Sequence, residues 1–400
     1  MLLRHYLKVF RGSPLGILTI LGVLLLMPAA PGMANDVSVG CAGGAAVSDY
    51  ATIGDALNAL HAISFRDHHI SVSGTCSELV GITDFTNLFL EGSPSATIVA
   101  PGGQAPPILS IYQANDIWVK GFTFQGSGRE QVDLVRVFSS RVTFEECTIQ
   151  GSAASGLFVN DSNVWIRSSQ VQDNLGLGIR AANSVFSIGD VNSDPVPSII
   201  QRNGEGIQVD ENGLARIYGA TIIQENLGAG ILVRGARVIM CCEEGQRRIL
   251  NNNGDGISVN TGSFLAWGPL LIEDNKGSGI SLIAASAQVN GDGGSEAIQK
   301  NGWCGISGRG NAHLELYSAS VADNASCGIS MEDNSSTLVW NTTMRGNGLG
   351  IGLDSLSSAA LAGGNSITGN GKSDLYCSSN SYARGDKSGI GNISCNKFGK

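Results

Sequence analysis

Asn226-Leu-Gly-Ala-Gly-Ile231 and Asn275-Lys-Gly-Ser-Gly-Ile280 are two copies of the phrase on which the fold reading turns. It returns as Asn174-Leu-Gly-Leu-Gly-Ile179, Asn203-Gly-Glu-Gly-Ile207, Asn253-Gly-Asp-Gly-Ile257, Asn301-Gly-Trp-Cys-Gly-Ile306, Asn324-Ala-Ser-Cys-Gly-Ile329 and Asn347-Gly-Leu-Gly-Ile351, and Ser155-Gly156-Leu157 is a copy without the asparagine. Taking the closing apolar residue as a marker, intervals run from 22 residues (157 to 179) to 28 (179 to 207). A second apolar residue usually stands two places on, as in Ile207-Gln208-Val209, which puts both on one strand face. A further strand follows in many units, for example Val164-Trp165-Ile166 or Leu314-Glu315-Leu316. Such a unit has no room for a helix and cannot bury its inward face alone. Successive units must therefore stack, each strand in parallel with its counterpart about 4.8 Å away. Asparagine before glycine suits a tight turn, where its amide bonds backbone groups left unpaired by the bend. Stacked, those amides form a ladder.

Composition agrees. Glycine contributes 55 of 400 residues and charged residues only 15 %, too apolar for a disordered chain, while glycine without strict three-residue spacing excludes collagen. Arg4, Lys8 and Arg11 precede an apolar run from Leu15 to Met27 and small residues ending at Ala34, the shape of a secretory signal peptide over 1–34. The run is shorter than the ~20 residues a membrane span needs, so cleavage is preferred to an uncleaved anchor, with no membrane span afterwards. Removing those three basic residues takes the formal charge from −9 to −12, which disfavours nucleic acid as a partner. Nine cysteines in an exported chain imply an oxidising compartment, secreted or periplasmic, and an odd number leaves at least one unpaired or bonded to another molecule. Cys41 with Cys76 and Cys377 with Cys395 flank the two ends and are expected to bridge there. Cys304 and Cys327 share a slot on successive units, as a bridge or as stacked thiols. The states of Cys147, Cys241 and Cys242 stay open.

The eightfold phrase resembles the right-handed parallel β-helix proteins of the pectin-lyase-like superfamily, whose coils carry an internal asparagine ladder. The expected fold is all-β, a right-handed parallel β-helix (solenoid) over 70–375. An N-terminal cap over 35–69 has Ile53, Ala56, Leu57 and Leu60 at the spacing of an amphipathic helix, and a C-terminal cap covers 376–400. The resemblance implies an exported protein that binds or acts on polysaccharide, but the superfamily spans lyases, hydrolases, esterases, epimerases, tailspikes and adhesins, so it leaves the reaction open. The alternative is a non-catalytic glycan-binding or structural β-helix.

If the marker faces inward, residues one and three beyond it face outward. The first column reads Phe158, Arg180, Gln208, Leu232, Ser258, Ser281, Ser307, Ser330, Gly352, and the second Asn160, Ala182, Asp210, Arg234, Asn260, Ile283, Arg309, Glu332, Asp354. Two groups emerge. Arg180, Gln208, Asp210 and Arg234 on three coils are candidate substrate-binding residues. Arg309, Glu332 and Asp354 on another three are candidate catalytic residues, because a lyase of the resembled kind needs carboxylates to hold a cation, Ca2+ for example, and an arginine or lysine as base. Opposite charges on neighbouring rungs also simply pair across a solvated sheet. Trp118 and Trp165 lie between inward residues, so they face outward and could stack on sugar rings. The polygalacturonase motifs Asn-Thr-Asp, Asp-Asp, Gly-His-Gly and Arg-Ile-Lys are missing. No cysteine pair has zinc-site spacing and His68-His69 point to opposite strand faces, so no metal site is assigned. Four serines at 258, 281, 307 and 330, and intervals too short for long loops, favour the non-catalytic alternative slightly.

Overall fold

The computed structural model describes residues 35–44, 47–61, 67–102, 107–129, 131–189, 196–241, 245–291, 296–378 and 380–399. The expected signal segment 1–34 and Cys242 lie outside them. The chain is an all-β parallel solenoid. Fourteen strands, one per coil, stack into one sheet running from Val80–Thr83 to Ile393–Ser394, and this sheet carries the markers. The remaining strands form two further faces, joined into one 26-stranded sheet by the long strands His68–Ser77, Thr86–Val99 and Asn115–Gln125. Parallel pairing runs past both ends of the 70–375 span, because Asn35–Gly40 pairs with His68–Ser73 and Phe398 pairs with Ala383.

Hydrophobic parity sets the stack. Ile179, Ile207, Ile231, Ile257, Ile280, Ile306, Ile329 and Ile351 are consecutive partners in register and have 0 % exposure. Each such buried side chain stabilises the fold by roughly 1.5–3 kcal/mol. At the corner before them runs the ladder. Asn174 opens it by accepting from Ser152 N, and each later asparagine, 203, 226, 252, 275, 301, 324, 347 and 370, accepts at its side-chain oxygen the backbone and side-chain N–H groups of the asparagine one coil earlier. The ladder corrects one member of the repeat: Asn252 is the rung, and Asn253 is exposed. Asn251, immediately before it, has φ 55°, as do Asp173, Glu225 and Asp274 (55–57°) before their own rungs, so the left-handed bend fixes which residue turns inward. Beyond Asn370 the file ends on Asp374, whose Oδ1 accepts from Asn370 N and Nδ2 while its Oδ2 accepts from Asn392 N. A carboxylate suits that place because the last rung has only donors to meet and nothing further to donate to.

The glycine before each marker is required by close approach. A Cβ at Gly230 would stand 2.7 Å from the Gly256 carbonyl oxygen and 2.9 Å from Asn252 Nδ2. On another face Gln125, Gln150, Gln172, Gln201 and Gln224 form a second amide ladder with N···O distances of 2.7–2.9 Å. The first coil is closed by the helix α1, Ile53–His61, which buries Ile53, Ala56, Leu57 and Leu60. Its first amides, Ile53 N and Gly54 N, donate to the Glu78 carboxylate at 2.9 and 3.0 Å, which satisfies groups a helix start leaves unpaired. Disulfides join Cys41 to Cys76, Cys304 to Cys327 and Cys377 to Cys395, so the stacked pair at 304 and 327 is a bridge. Cys241 is disulfide-bonded too, and Cys147 is a buried free thiol whose burial pushes its pKa up to about 12.

Candidate functional site

Strand register makes the outward columns of the marker sheet physical rows. Phe158, Arg180, Gln208, Leu232, Ser258, Ser281, Ser307, Ser330 and Gly352 are consecutive partners, as are Asn160, Ala182, Asp210, Arg234, Asn260, Ile283 and Arg309. Within them the structure draws the first group together. Arg180 Nε stands 3.2 Å from Asp210 Oδ2, and Gln208 Nε2 donates to the same oxygen at 2.7 Å. Asp210 and Gln208 are buried at 6 % and 7 % exposure, so the carboxylate orients the guanidinium from beneath while the Arg180 side chain stays 43 % exposed. The guanidinium also lies over the Phe158 ring at 5.3 Å, a contact worth ~0.5–1 kcal/mol at exposed sites. Its two terminal amino groups have no hydrogen-bond partner among the described residues and can meet a ligand. Arg234, one rung on from Asp210, is exposed and acts on Glu205 by charge alone.

Toward the amino terminus the same face is aromatic. Tyr112 stacks on Phe138 with centroids 5.0 Å apart and planes inclined by 2°, and Phe138 meets Phe158 edge-on at 5.5 Å. Three aromatic rings and a guanidinium thus follow one another on four successive coils. Tyr112 and Phe138 precede the first copy of the phrase, so the repeat carries no signal for the aromatic part.

Arg309, Glu332 and Asp354 occupy successive coils, since Glu332 N donates to Gly308 O and Asp354 N to Met331 O. All three are exposed, and no ion pair or hydrogen bond joins them; Glu332 accepts from the Ser330 hydroxyl at 3.2 Å and Asp354 from Ser355 N at 2.7 Å. Oxygen ligands do not converge there. Among the described residues the grouping close enough to share a metal ion is Cys41, Cys76 and Glu78, whose two sulfurs are already joined to each other.

Trp118 and Trp165 do not belong to this face. They stand on the Asn115–Gln125 and Asn163–Arg167 strands of the 26-stranded sheet. The Trp165 ring is already engaged, with Arg167 at 4.6 Å, Tyr218 stacked at 6.4 Å, and its indole N–H donating to Gly189 O. Trp118 is 39 % exposed, with the same Arg167 guanidinium farther off, 6.0 Å from its ring centroid.

Two carboxylates missed in the sequence flank the marker sheet. Glu205 and Asp255 stand two residues before their markers, on coils separated by one other. Burial pushes both carboxyls above the usual range, opposed at Glu205 by the Ala229 N–H and Arg234, and at Asp255 by the Ser278 N–H, the Ser281 hydroxyl and Arg309. Each reaches the next coil, Glu205 accepting from Ala229 N at 2.6 Å and Asp255 from Ser278 N at 2.7 Å. Carboxyls raised by burial in this way are candidates for proton transfer.

No protein-family model and no curated relative matches the sequence. Solved structures do. The A-module of the mannuronan C-5 epimerase AlgE4 of Azotobacter vinelandii superposes with a TM-score of 0.53 at 15 % identity, over 75 % of this chain and 92 % of that one. The fold is the parallel β-helix of that module. The periplasmic alginate epimerase AlgG is similar at 14 % identity (73 % and 77 % of the chains, TM-score 0.47), and the catalytic domain of a GH87 alpha-1,3-glucanase at 13 % (93 % and 68 %, TM-score 0.40).

Proposed function

We propose that this protein works outside the cytoplasm, secreted or periplasmic, and binds a polysaccharide laid along the outer face of its fourteen-stranded sheet. The observation that carries the reading is the succession Tyr112, Phe138, Phe158 and Arg180 on four coils, which steps from the second outward row to the first between Phe138 and Phe158 and ends on a guanidinium oriented by buried Asp210. Aromatic faces take the apolar faces of sugar rings, and the free guanidinium amines take hydroxyl or carboxylate oxygens. Gln208 and Arg234 extend the polar part by one and two rungs. The AlgE4 A-module on which it superposes belongs to a mannuronan C-5 epimerase, which supports a glycan ligand. Disulfides at both ends of the solenoid support an oxidising compartment, and among the described residues no helix is long and apolar enough to cross a membrane.

A second reading makes the face catalytic, as a lyase, hydrolase or epimerase. It is favoured by Glu205 and Asp255, carboxyls held toward their protonated form beside the track, with Arg309, Glu332 and Asp354 further along. Ca2+ would be needed only by a lyase. Glu332 and Asp354 each have a local partner, and among the described residues no third carboxylate joins them to complete a cation site. The experiment is a panel of alginate, polygalacturonate and neutral glucans, followed by affinity electrophoresis for binding, new reducing ends for hydrolysis, and unsaturated-uronate absorbance for elimination. Phe158→Ala and Arg180→Ala should each weaken binding about tenfold, the loss of ~1–1.5 kcal/mol of stacking and charge-assisted contact. Unaltered binding in both variants removes the track. Turnover that survives in wild type but fails in Glu332→Gln or Asp255→Asn selects the catalytic reading.

A further inference from the structure

A second depression, of 570 Å³, opens on the adjacent face near the amino-terminal end, around the Trp118 ring. Its floor is aromatic: Phe89 meets Trp118 edge-to-face with centroids 6.0 Å apart, and the His69 ring lies 5.0 Å from Phe89. Around the floor stand Asp36, Asp67 and Asn87. Asp36, whose side chain is 72 % exposed, lies 3.3 Å from His69 Nδ1, and Asn87 donates its amide to Asp67 at 3.0 Å. The one lysine that lines it, Lys120, is bound to Glu145 at 2.9 Å and to Glu146 at 3.5 Å. Unlike Trp165, Trp118 keeps its indole N–H free of any hydrogen bond among the described residues.

Size, floor and rim together specify a ligand class. A pocket of some 300–1,000 Å³ suits a small molecule, here one or two sugar rings. The aromatic floor suits the apolar face of a pyranose, and the indole N–H and rim oxygens suit its hydroxyls. Carboxylates stand on the rim while Lys120 is held by Glu145 and Glu146, and the Arg167 guanidinium, 6.0 Å from the Trp118 ring centroid, does not line the depression, which together oppose an acidic sugar, whereas on the fourteen-stranded sheet Arg180 and Arg234 face the ligand. We propose that the depression around Trp118 is a second saccharide site, which takes an uncharged or amino sugar and rejects a uronate. It rests on the reading of the protein as a polysaccharide binder, yet it uses a different face and opposite charge.

The test titrates the full chain with three tetrasaccharides, of glucose, glucosamine and a uronate, following indole fluorescence and saturation-transfer NMR. The glucose or glucosamine tetrasaccharide should quench fluorescence, lose at least tenfold in affinity in Trp118→Ala, stay within threefold in Trp118→Phe, and be unmoved by Phe158→Ala. The uronate tetrasaccharide should show none of its binding at Trp118. Asp36→Asn combined with Asp67→Asn should admit the uronate, and this arm does not depend on the tryptophan variants folding. Quenching by the uronate equal to the others, affinity unchanged in Trp118→Ala, or binding of neither glucose nor glucosamine at millimolar concentration would overturn the proposal. Loss in Phe158→Ala alone would instead place all binding on the fourteen-stranded sheet and leave the first track standing while this site falls.

Discussion

Replacing Asn252 by alanine isolates what one rung of the ladder contributes. Its Oδ1 accepts from Asn226 N at 3.2 Å and Asn226 Nδ2 at 2.9 Å, while its Nδ2 donates to Asn275 Oδ1 at 2.8 Å and to Ile223 O at 3.4 Å. Alanine removes all four. A buried hydrogen bond contributes ~1 kcal/mol net, and the two long ones less, so the bonds themselves account for about 3 kcal/mol. Asn226 N is then left buried with no acceptor, which raises the expected cost to about 3–5 kcal/mol. Asn253 is the internal control. Its side chain is exposed and makes no bond, so Asn253→Ala should stay within ~0.5 kcal/mol. Because a solenoid senses a local defect mainly in neighbouring coils, urea unfolding is best paired with native-state hydrogen exchange at the Asn226 and Gly256 amides. Faster exchange there in Asn252→Ala but not in Asn253→Ala is the expected result. Equal effects of the two variants, or a cost below about 1 kcal/mol at Asn252, would refute the assignment of the rung and the stacking logic built on it.

Asp374→Asn should destabilise the carboxy-terminal coils by about 1–3 kcal/mol, because an amide in that place turns an N–H2 toward either Asn370 or Asn392 N, and unfolding of the last coils at lower urea is the readout. Glu205→Gln should raise the melting temperature at pH 7, since burial raises the folded-state pKa and ionisation of Glu205 therefore opposes folding. For a carboxyl raised in this way, stability falls as pH climbs from the unfolded to the folded pKa, so the gain should vanish near or below pH 4. Asp173 and Glu273 run the opposite way. Arg202 and Lys300 hold their carboxyls below the usual range, so that stability is full above the unfolded pKa and is lost as pH falls through the folded one; Arg202→Gln should flatten the acid limb of a melting-temperature profile. Cys147 should resist iodoacetamide at pH 8 in the native protein and react once unfolded in urea, because its thiol is buried and pushed up to about 12; rapid native labelling would contradict this. Replacing both Cys304 and Cys327 by serine should cost about 3 kcal/mol, the loop-closure entropy for a separation of 23 residues, as read by the urea midpoint.

Which of these features can be read from letters depends on whether parity or a bend governs the residue. Inside a strand, side chains alternate strictly, so the eight markers and the outward rows from Phe158 to Ser330 follow from counting. At a corner the count slips. Asn203 and Asn347 stand four residues before their markers and Asn226 five, so both Asn252 and Asn253 satisfied the phrase; the left-handed φ of Asn251, a backbone property, decides between them. Glu205 and Asp255 fail for a related reason. Two residues before a marker, parity assigns them inward, but the following glycine lets the backbones approach closely and each carboxylate bends onto an N–H of the next coil. Trp118 and Trp165 show the third limit: parity says outward correctly, but a three-faced coil has three outsides, and the face is fixed by how many residues each corner consumes. Trp118 and Arg180, both outward by parity, therefore stand on two different faces of the solenoid, Trp118 on the 26-stranded sheet and Arg180 on the fourteen-stranded one.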